Sequence, residues 1–403
     1  MAQHTSPHTN GASPQDVVII GAARTPFGRL LGGLSSFPAT ELGGFAIRGA
    51  LERAGVEGSE VDAVIMGQVL QAGVGQNPTK QAALAGGVRE EAHTNTVNKV
   101  CLSGLTSVID ATRMIRCGEA TIVVAGGMES MSNAPHLAQV RGGVKFGSAS
   151  LVDHMEYDAL TSASMGNSMG ALSEHYNQEF PVTREEQDHV AALSHQRAAA
   201  ADLSAEIVPV SVNTRKGTVT VSADEGVRPD TTAETLAGLR PAFAPEGTIT
   251  AGNASQITDG AAALVLTTRE EAQRRNAPIL AVVRAPGQIA GPHHALQDKP
   301  AKAIQQALTR QGWEVSDLDL VEINEAFAVV SIHSARMLGL EPEDVNMCGG
   351  AIALGHPVGA SGARLALHAA LQLGAGKASR AAVALCGGGG QGEALLLEAD
   401  SCG

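Results

Sequence analysis

An α/β architecture built from two similar halves is what the sequence predicts, and three observations predict it: a pattern that repeats at long range, continuous apolar runs that end in glycine, and one stretch apolar nearly all round. "AGVEGSEVDAVIMGQ" (54–68) and "QGWEVSDLDLVEINE" (311–325) share a helix-ending glycine, Gly55 or Gly312, followed by Asp62 or Asp319 inside a strand-like run, at an offset of 257 residues. Ser103-Gly104 in "VCLSGLTSVID" and Ser361-Gly362 in "PVGASGARLAL" then recur at an offset of 258, each pair opening an apolar helix. Repeats in order at a nearly constant spacing point to duplication.

The elements follow from these patterns. "TIVVAGGMES" (121–130) and "AAVALCGGGGQG" (381–392) are short apolar runs ending in glycines, the form of strands buried on both faces, and they predict a mostly parallel sheet in each half. "RLALHAALQL" (364–373) reads as a helix buried on every side, so the halves are expected to stack back to back around central helices. The region from about 130 to 250 has no counterpart in the second half. Rich in Met, Ser, His and charge, it reads as an insertion and as the natural place for substrate recognition.

Composition narrows the function classes. A chain of 403 residues can bury a large core, and 47 glycines with only 2% aromatics favour close backbone packing. A net charge of −13 argues against nucleic acid or an anionic membrane as the main partner. Cys101, Cys117, Cys348, Cys386 and Cys402 show no CxxC pairing and read as free thiols of a reducing compartment. "MAQHTSPHTNGASPQ" (1–15) is expected to be a disordered tail rather than a signal or transit peptide, and "SCG" at the end is no peroxisomal address. No apolar segment reaches the roughly 18 to 20 residues of a membrane span. A cytoplasmic protein is expected.

Four stretches combine reactive side chains with glycine-rich turns: "NKVCLSG" (98–104), "NEAFA" (324–328), "GGAIALGHPVGASG" (349–362) and "LCGGGGQG" (385–392). Ligands gather at the carboxyl ends of strands in α/β sheets, so these loops can converge. Cys101 at a helix start would feel the helix dipole, which lowers a thiol pKa; its plainer reading is a small buried hydrophobe. His356 sits beside Pro357 in what reads as an exposed turn, and alone could be only a turn residue. Cys386 ends a buried strand before Gly387 to Gly390, whose backbone N–H groups could form an oxyanion site or simply a flexible turn. Asn324 could cap a helix. Neither His293-His294 nor Cys348 with His356 has zinc-type spacing, and the glycines lack the lysine of a phosphate loop, so no metal or nucleotide site is expected.

Together the four stretches resemble the thiolase family, most closely its bacterial acetyl-CoA C-acetyltransferases. The resemblance runs from about Asp16 to the C-terminus and includes "GAARTPFG", "GMESMSNAPH" and "AGNASQITDGAAALV" (251–265). It implies a thiolase fold: two duplicated α/β halves in five αβαβα layers with an inserted loop domain, an N-terminal domain over 16–275 and a C-terminal domain over 276–403. It also implies that Cys101 is the acylated nucleophile, His356 its base and Cys386 the acid/base at carbon. Asn324 would hold a water that completes one oxyanion hole with His356, and the N–H groups of Cys101 and Gly388 would form the other.

The implied reaction is the reversible condensation of two acetyl-CoA to acetoacetyl-CoA and CoA, with CoA a substrate or product and no cofactor required. Ser255 matches the serine that contacts the pantetheine arm, and Arg228 a basic residue near the adenosine end. Met169, Phe243 and Phe327 match residues that line the acyl pocket. The chain departs from many short-chain members in having Ser168 where they have histidine, so the CoA contact there is expected to differ. "GMESMSNAPHLAQVRGG" resembles the start of a tetramer-forming loop and implies a homotetramer, a dimer of dimers. The competing readings are a degradative 3-ketoacyl-CoA thiolase of broader chain length, a non-catalytic acyl-CoA or lipid carrier of the same ancestry, and a redox sensor at Cys101. The related condensing enzymes, which pair one cysteine with two histidines or with histidine and asparagine, fit less well with Cys386 before "GGGG" and with "NEAFA".

Overall fold

The computed structural model describes residues 12–400, so most of the expected tail and Cys402 lie outside the described residues. Residues 12–15, also placed in that tail, are tied down instead: Pro14 and Asp16 accept backbone hydrogen bonds from Glu270 and Arg269.

The first half runs β1 (Val17–Arg24), α1 (Ala39–Ala54), β2 (Ala63–Gly67), α2 (Pro78–Ala85), β3 (His93–Val97), α3 (Ser103–Arg116) and β4 (Val123–Ser130). The chain then leaves the sheet for a segment that contains α4 (Met169–Asn177) and α5 (Arg184–Ala200), and returns as β5 (Thr258–Thr268). The second half runs β6 (Ala281–Ala290), α6 (Lys299–Gln311), β7 (Leu320–Ile323), α7 (Ala328–Met337), α8 (Ser361–Gly374), β8 (Arg380–Gly387) and β9 (Gln391–Glu398).

The repeat is physical as well as textual. Helices α1 and α6 both stop at a left-handed glycine, Gly55 (φ 64°) and Gly312 (φ 74°). Asp62 then accepts from the backbone N–H groups of Thr121 (2.8 Å) and Ile122 (3.1 Å). Asp319 accepts in the same way from Ser379 (2.8 Å) and Arg380 (3.0 Å). In each half one carboxylate fastens the entry of a central strand, satisfying donors that would otherwise be left at its edge.

The strands form one sheet in the order β7-β8-β9-β6-β1-β5-β4-β2-β3. Its halves join through β1 and β6, where only Val18 with Val282 and Ile19 with Ala281 pair. The sheet is mixed rather than mostly parallel: β2 pairs parallel with β3 and β4, and β7 with β8, while the β4-β5, β5-β1, β6-β9 and β8-β9 pairs are antiparallel. The apolar runs of the sequence are compatible with either strand direction. Helices cover both faces, so antiparallel strands here carry the same continuous apolar runs as buried parallel ones.

Central helices α3 and α8 share a core with the inner faces of both half-sheets, through residues such as Leu105, Ile109, Leu367 and Val383. Helices α1 and α2 cover the outer face of the first half, and α6 and α7 that of the second. The five layers are therefore helix, sheet, helix, sheet, helix.

Helix α8 is buried nearly all round, but three of its buried residues are polar: Ser361 at its start, and Arg364 and His368 within it. His368 Nδ1 lies 2.5 Å from Glu206 Oε1, and Arg364 lies 3.6 Å from Glu322. Burial pulls the His368 pKa down, yet Glu206 and Glu322 more than offset it and raise it to about 9. A raised folded-state pKa gives stability that is fully present below the unfolded value, roughly 6.5, and is lost as pH rises through the folded one. Melting temperature is therefore expected to fall between pH 7 and about 9. His368→Gln should flatten that part of the curve, and a wild-type curve already flat across this range would refute the assignment.

Candidate active site

The turn that carries Cys101 is built by its neighbours. Val100, a β-branched residue, sits at φ 50°, an unfavourable conformation held in place from both sides. Asn98 Oδ1 accepts from Val100 N (3.1 Å), while Ser103 Oγ accepts from Lys99 N (2.8 Å) and donates to Val100 O (2.6 Å). This fixes Cys101 just ahead of the first turn of α3. The backbone N–H groups of Cys101 and Gly388 both favour its thiolate. Gly388 reaches it by packing on Val100, 3.4 Å from where a Cβ would stand.

Opposite, His356 lies in the loop before α8. This turn is buried, with His356 6% exposed, where an exposed one was expected. Loops from both halves close over it: Gly359 N donates to Glu129 Oε2 (3.0 Å), and Glu129 also accepts from Val69 N (3.0 Å) and Leu70 N (3.1 Å). His356 Nδ1 lies 2.6 Å from Ser361 Oγ, whose hydroxyl donates to Pro357 O. Asn324 Nδ2 is 3.5 Å from His356 Nε2. A serine oxygen that accepts at Nδ1 and an amide that donates toward Nε2 select the same tautomer, with the lone pair on Nε2 facing the site. Asn324 is not a helix cap, because α7 begins later, at Ala328.

Cys386 completes the constellation at the end of β8, 1% exposed. Cys101, His356, Cys386 and Gly388 line one cavity of about 60 Å³. Met169, Ser255, Phe327 and Leu160 form much of its remaining wall. The thiols do not sit in the environment expected of Cys101. Burial pushes Cys101 up to about 12, against the pull of the two backbone N–H groups, and pushes Cys386 up as well, with Cys101 adding to the rise. Burial lowers His356 to about 4, so it is a neutral base at pH 7. For both thiols desolvation is the dominant influence.

This geometry has counterparts by sequence. Residues 17–270 match the family model "Thiolase, N-terminal domain" and residues 277–399 match "Thiolase, C-terminal domain". The chain belongs to the thiolase family. It is 52% identical to a probable acetyl-CoA acetyltransferase of Mycolicibacterium smegmatis, over 94% of this chain and 100% of the relative. It is 46% identical to the acetyl-CoA acetyltransferase of Rhizobium meliloti (96% and 99% covered) and 45% identical to acetyl-CoA acetyltransferase 2 of Arabidopsis thaliana (98% and 99%). The protein is thus an acyltransferase of the thiolase type.

In this thiolase the other expected residues fall into two groups. Ser168 and Phe243 do not line the cavity themselves: Ser168 caps α4 by accepting from Ala171 N (3.2 Å), and Phe243 meets the lining residue Phe327 edge-on at 5.8 Å. Arg228 does not line the cavity; its side chain is exposed, and its backbone N–H donates to His195 Nδ1 (3.1 Å). Four supporting residues were not anticipated as part of the site: Glu129, Ser361, Thr258 and Gln256. Thr258 Oγ1 accepts from His356 N (3.1 Å) and donates to Gln256 O (2.8 Å). Only Glu129 left a trace in the sequence, as the one charge inside the apolar run that becomes β4.

Proposed function

We propose that this thiolase is an acetyl-CoA C-acetyltransferase that condenses two acetyl-CoA to acetoacetyl-CoA and CoA through an acetyl-Cys101 intermediate. The observation that carries the reading is the convergence of Cys101, His356, Cys386 and Gly388 on a cavity of only about 60 Å³. The apolar side chains of Met169, Leu160 and Phe327 wall it in, which suits a short acyl group.

His356 Nε2 takes the Cys101 proton, the thiolate attacks the thioester carbonyl, and CoA leaves carrying that proton. The Cys101 and Gly388 N–H groups stabilise the oxyanion on the carbonyl attacked by Cys101. Asn324 and His356, with a water, hold the thioester oxygen of the second acetyl-CoA as it becomes an enolate. The Cys386 thiolate removes that molecule's α-proton, and the enolate carbon attacks acetyl-Cys101 and expels the Cys101 thiolate. One proton then passes from Cys386 to Cys101 by way of His356, which restores the starting state. Only thiols, imidazole and amides act, and CoA enters as substrate and leaves as product. Ser255 is proposed to contact the pantetheine arm, and Arg228, on the exposed segment, the adenosine end of CoA. The reading extends to a cytoplasmic homotetramer of two-domain subunits, divided near residue 275; a monomer in sedimentation at micromolar concentration would refute the assembly.

Thiolysis tests the chain length. kcat/KM with acetoacetyl-CoA is expected to exceed that with 3-ketohexanoyl- and 3-ketodecanoyl-CoA by at least about tenfold, since each methylene a pocket cannot accept costs roughly 1–3 kcal/mol. Met169→Ala should narrow the gap. Equal or better use of the longer substrates by the wild type would instead make the protein a degradative 3-ketoacyl-CoA thiolase.

A further inference from the structure

Behind Cys386 lies a charge that the mechanism above does not use. Lys299, the first residue of α6, is fully buried. The ladder between β8 and β9 shows where its side chain starts. Cys386 pairs across the strands with Gly392, so the thiol and the side-chain position of Gly392 share one face of the sheet. That position is taken by Lys299: a Cβ on Gly392 would stand 2.5 Å from Lys299 O and 2.9 Å from Lys299 Cβ. Lys299 thus enters the protein interior on the face that carries the sulfur.

Its ammonium is held but not cancelled. Lys299 Nζ donates to Asp298 Oδ1 (2.8 Å) and to His293 Nδ1 (3.3 Å). The other oxygen of Asp298 is engaged by the Lys302 ammonium and lies 3.4 Å from His293 Nε2. Two ammonium groups, of Lys299 and Lys302, thus share one carboxylate, and the cluster is net positive. Besides this cluster, the titratable groups facing Cys386 are Cys101 and the neutral His356. Burial raises the Cys386 pKa, and Lys299 is the one charged side chain that pulls it back.

We propose that Lys299 is a positioning residue for the carbon–carbon step, its buried ammonium favouring the Cys386 thiolate that takes the α-proton. The inference rests on the assignment of Cys386 as the acid/base at carbon. A cation in the interior acts over a longer range than one at the surface, because water does not screen it. It therefore need not touch the substrate to shift the thiol equilibrium.

Two rates separate the sulfurs. Exchange of the acetyl group between acetyl-CoA and labelled CoA needs Cys101 and His356, whereas condensation also needs the Cys386 thiolate. Lys299→Met is expected to move the pH midpoint of condensation up by about one unit and slow it about tenfold at pH 7, while acetyl exchange keeps its rate and pH profile. Asp298→Asn, which frees the ammonium of its carboxylate, is expected to move the midpoint down. Opposite shifts from adjacent residues are not what loss of packing produces. An unchanged midpoint in Lys299→Met, or condensation and exchange falling together without a shift, overturns the proposal. Should Lys299→Met fail to fold, a midpoint that does not fall in Asp298→Asn overturns it equally. Cys386→Ala is the control: if it still condenses acetyl-CoA, the assignment of Cys386 is wrong and the inference falls with it. If it abolishes condensation while Lys299→Met leaves the midpoint in place, the Lys299 inference alone fails.

Discussion

Cys101→Ala is expected to lower both thiolysis and condensation by on the order of 10⁴-fold or more, the scale on which a catalytic unit fails when its nucleophile is removed. The remaining groups cannot substitute. The two backbone donors proposed for the oxyanion, from Cys101 and Gly388, flank the Cys101 sulfur and favour its thiolate, so they serve a carbonyl attacked from that atom. Cys386 lies at the end of a different strand, where the proposed mechanism already commits it to the α-proton. The change removes one atom from a half-buried side chain, so folding should be little disturbed. Wild-type protein incubated with acetyl-CoA should gain one acetyl group by mass and release free CoA, and the variant should do neither. Turnover that survives the substitution would sink the acyl-enzyme mechanism and favour a carrier or another nucleophile.

Gly127→Ala is expected to cost about 10²-fold in kcat/KM, although residue 127 touches no substrate. Gly127 lies in β4 directly under the loop that carries His356, and a Cβ there would stand 2.0 Å from Gly359 O and 2.8 Å from Ala360 Cα. Gly67 and Gly104 press on the same carbonyl, at 2.6 and 2.9 Å from their Cβ positions, so the loop has no direction in which to yield. A displacement of about 1 Å is enough for a loss of that order, and overpacking of this kind costs roughly 1–3 kcal/mol of stability. A crystal structure should show His356 moved away from Cys101, and the melting temperature should drop. Wild-type activity in Gly127→Ala would mean that the loop is far softer than its packing implies.

What could be read in advance follows from where each signal resides. The duplication was legible because its marks are local: Gly55 and Gly312 end helices, and Asp62 and Asp319 bind backbone a fixed distance along the chain. Cys101, Asn324, His356 and Cys386 stood out because each adjoins glycines at the end of an apolar run. The antiparallel middle of the sheet was not legible, since strand direction leaves no trace in a run buried on both faces. Nor was the state of Cys101, because a helix start can be seen in sequence but the apolar wall of Met169, Phe327 and Leu160 cannot. Lys299 was invisible as a buried charge for the same reason, and Glu129 showed only as a lone charge in an apolar run, without its role. Their partners come from other turns of the chain, and only folding brings them together.

The placement of β5 has a consequence for how the chain acquires its structure. In the second half, β8 and β9 are joined by a tight turn and can zip as soon as both exist. In the first half the equivalent partner of β4 is β5, which must also slot between β4 and β1, and more than a hundred residues intervene before it is made. Until then β1 and β4 present bare, strongly apolar edges, the kind of surface on which nascent chains associate wrongly. Two halves with one ancestry thus differ in hazard during synthesis: the amino-terminal one, though translated first, has to wait, and its completion sets the interval over which the newborn polypeptide carries unpaired strand edges.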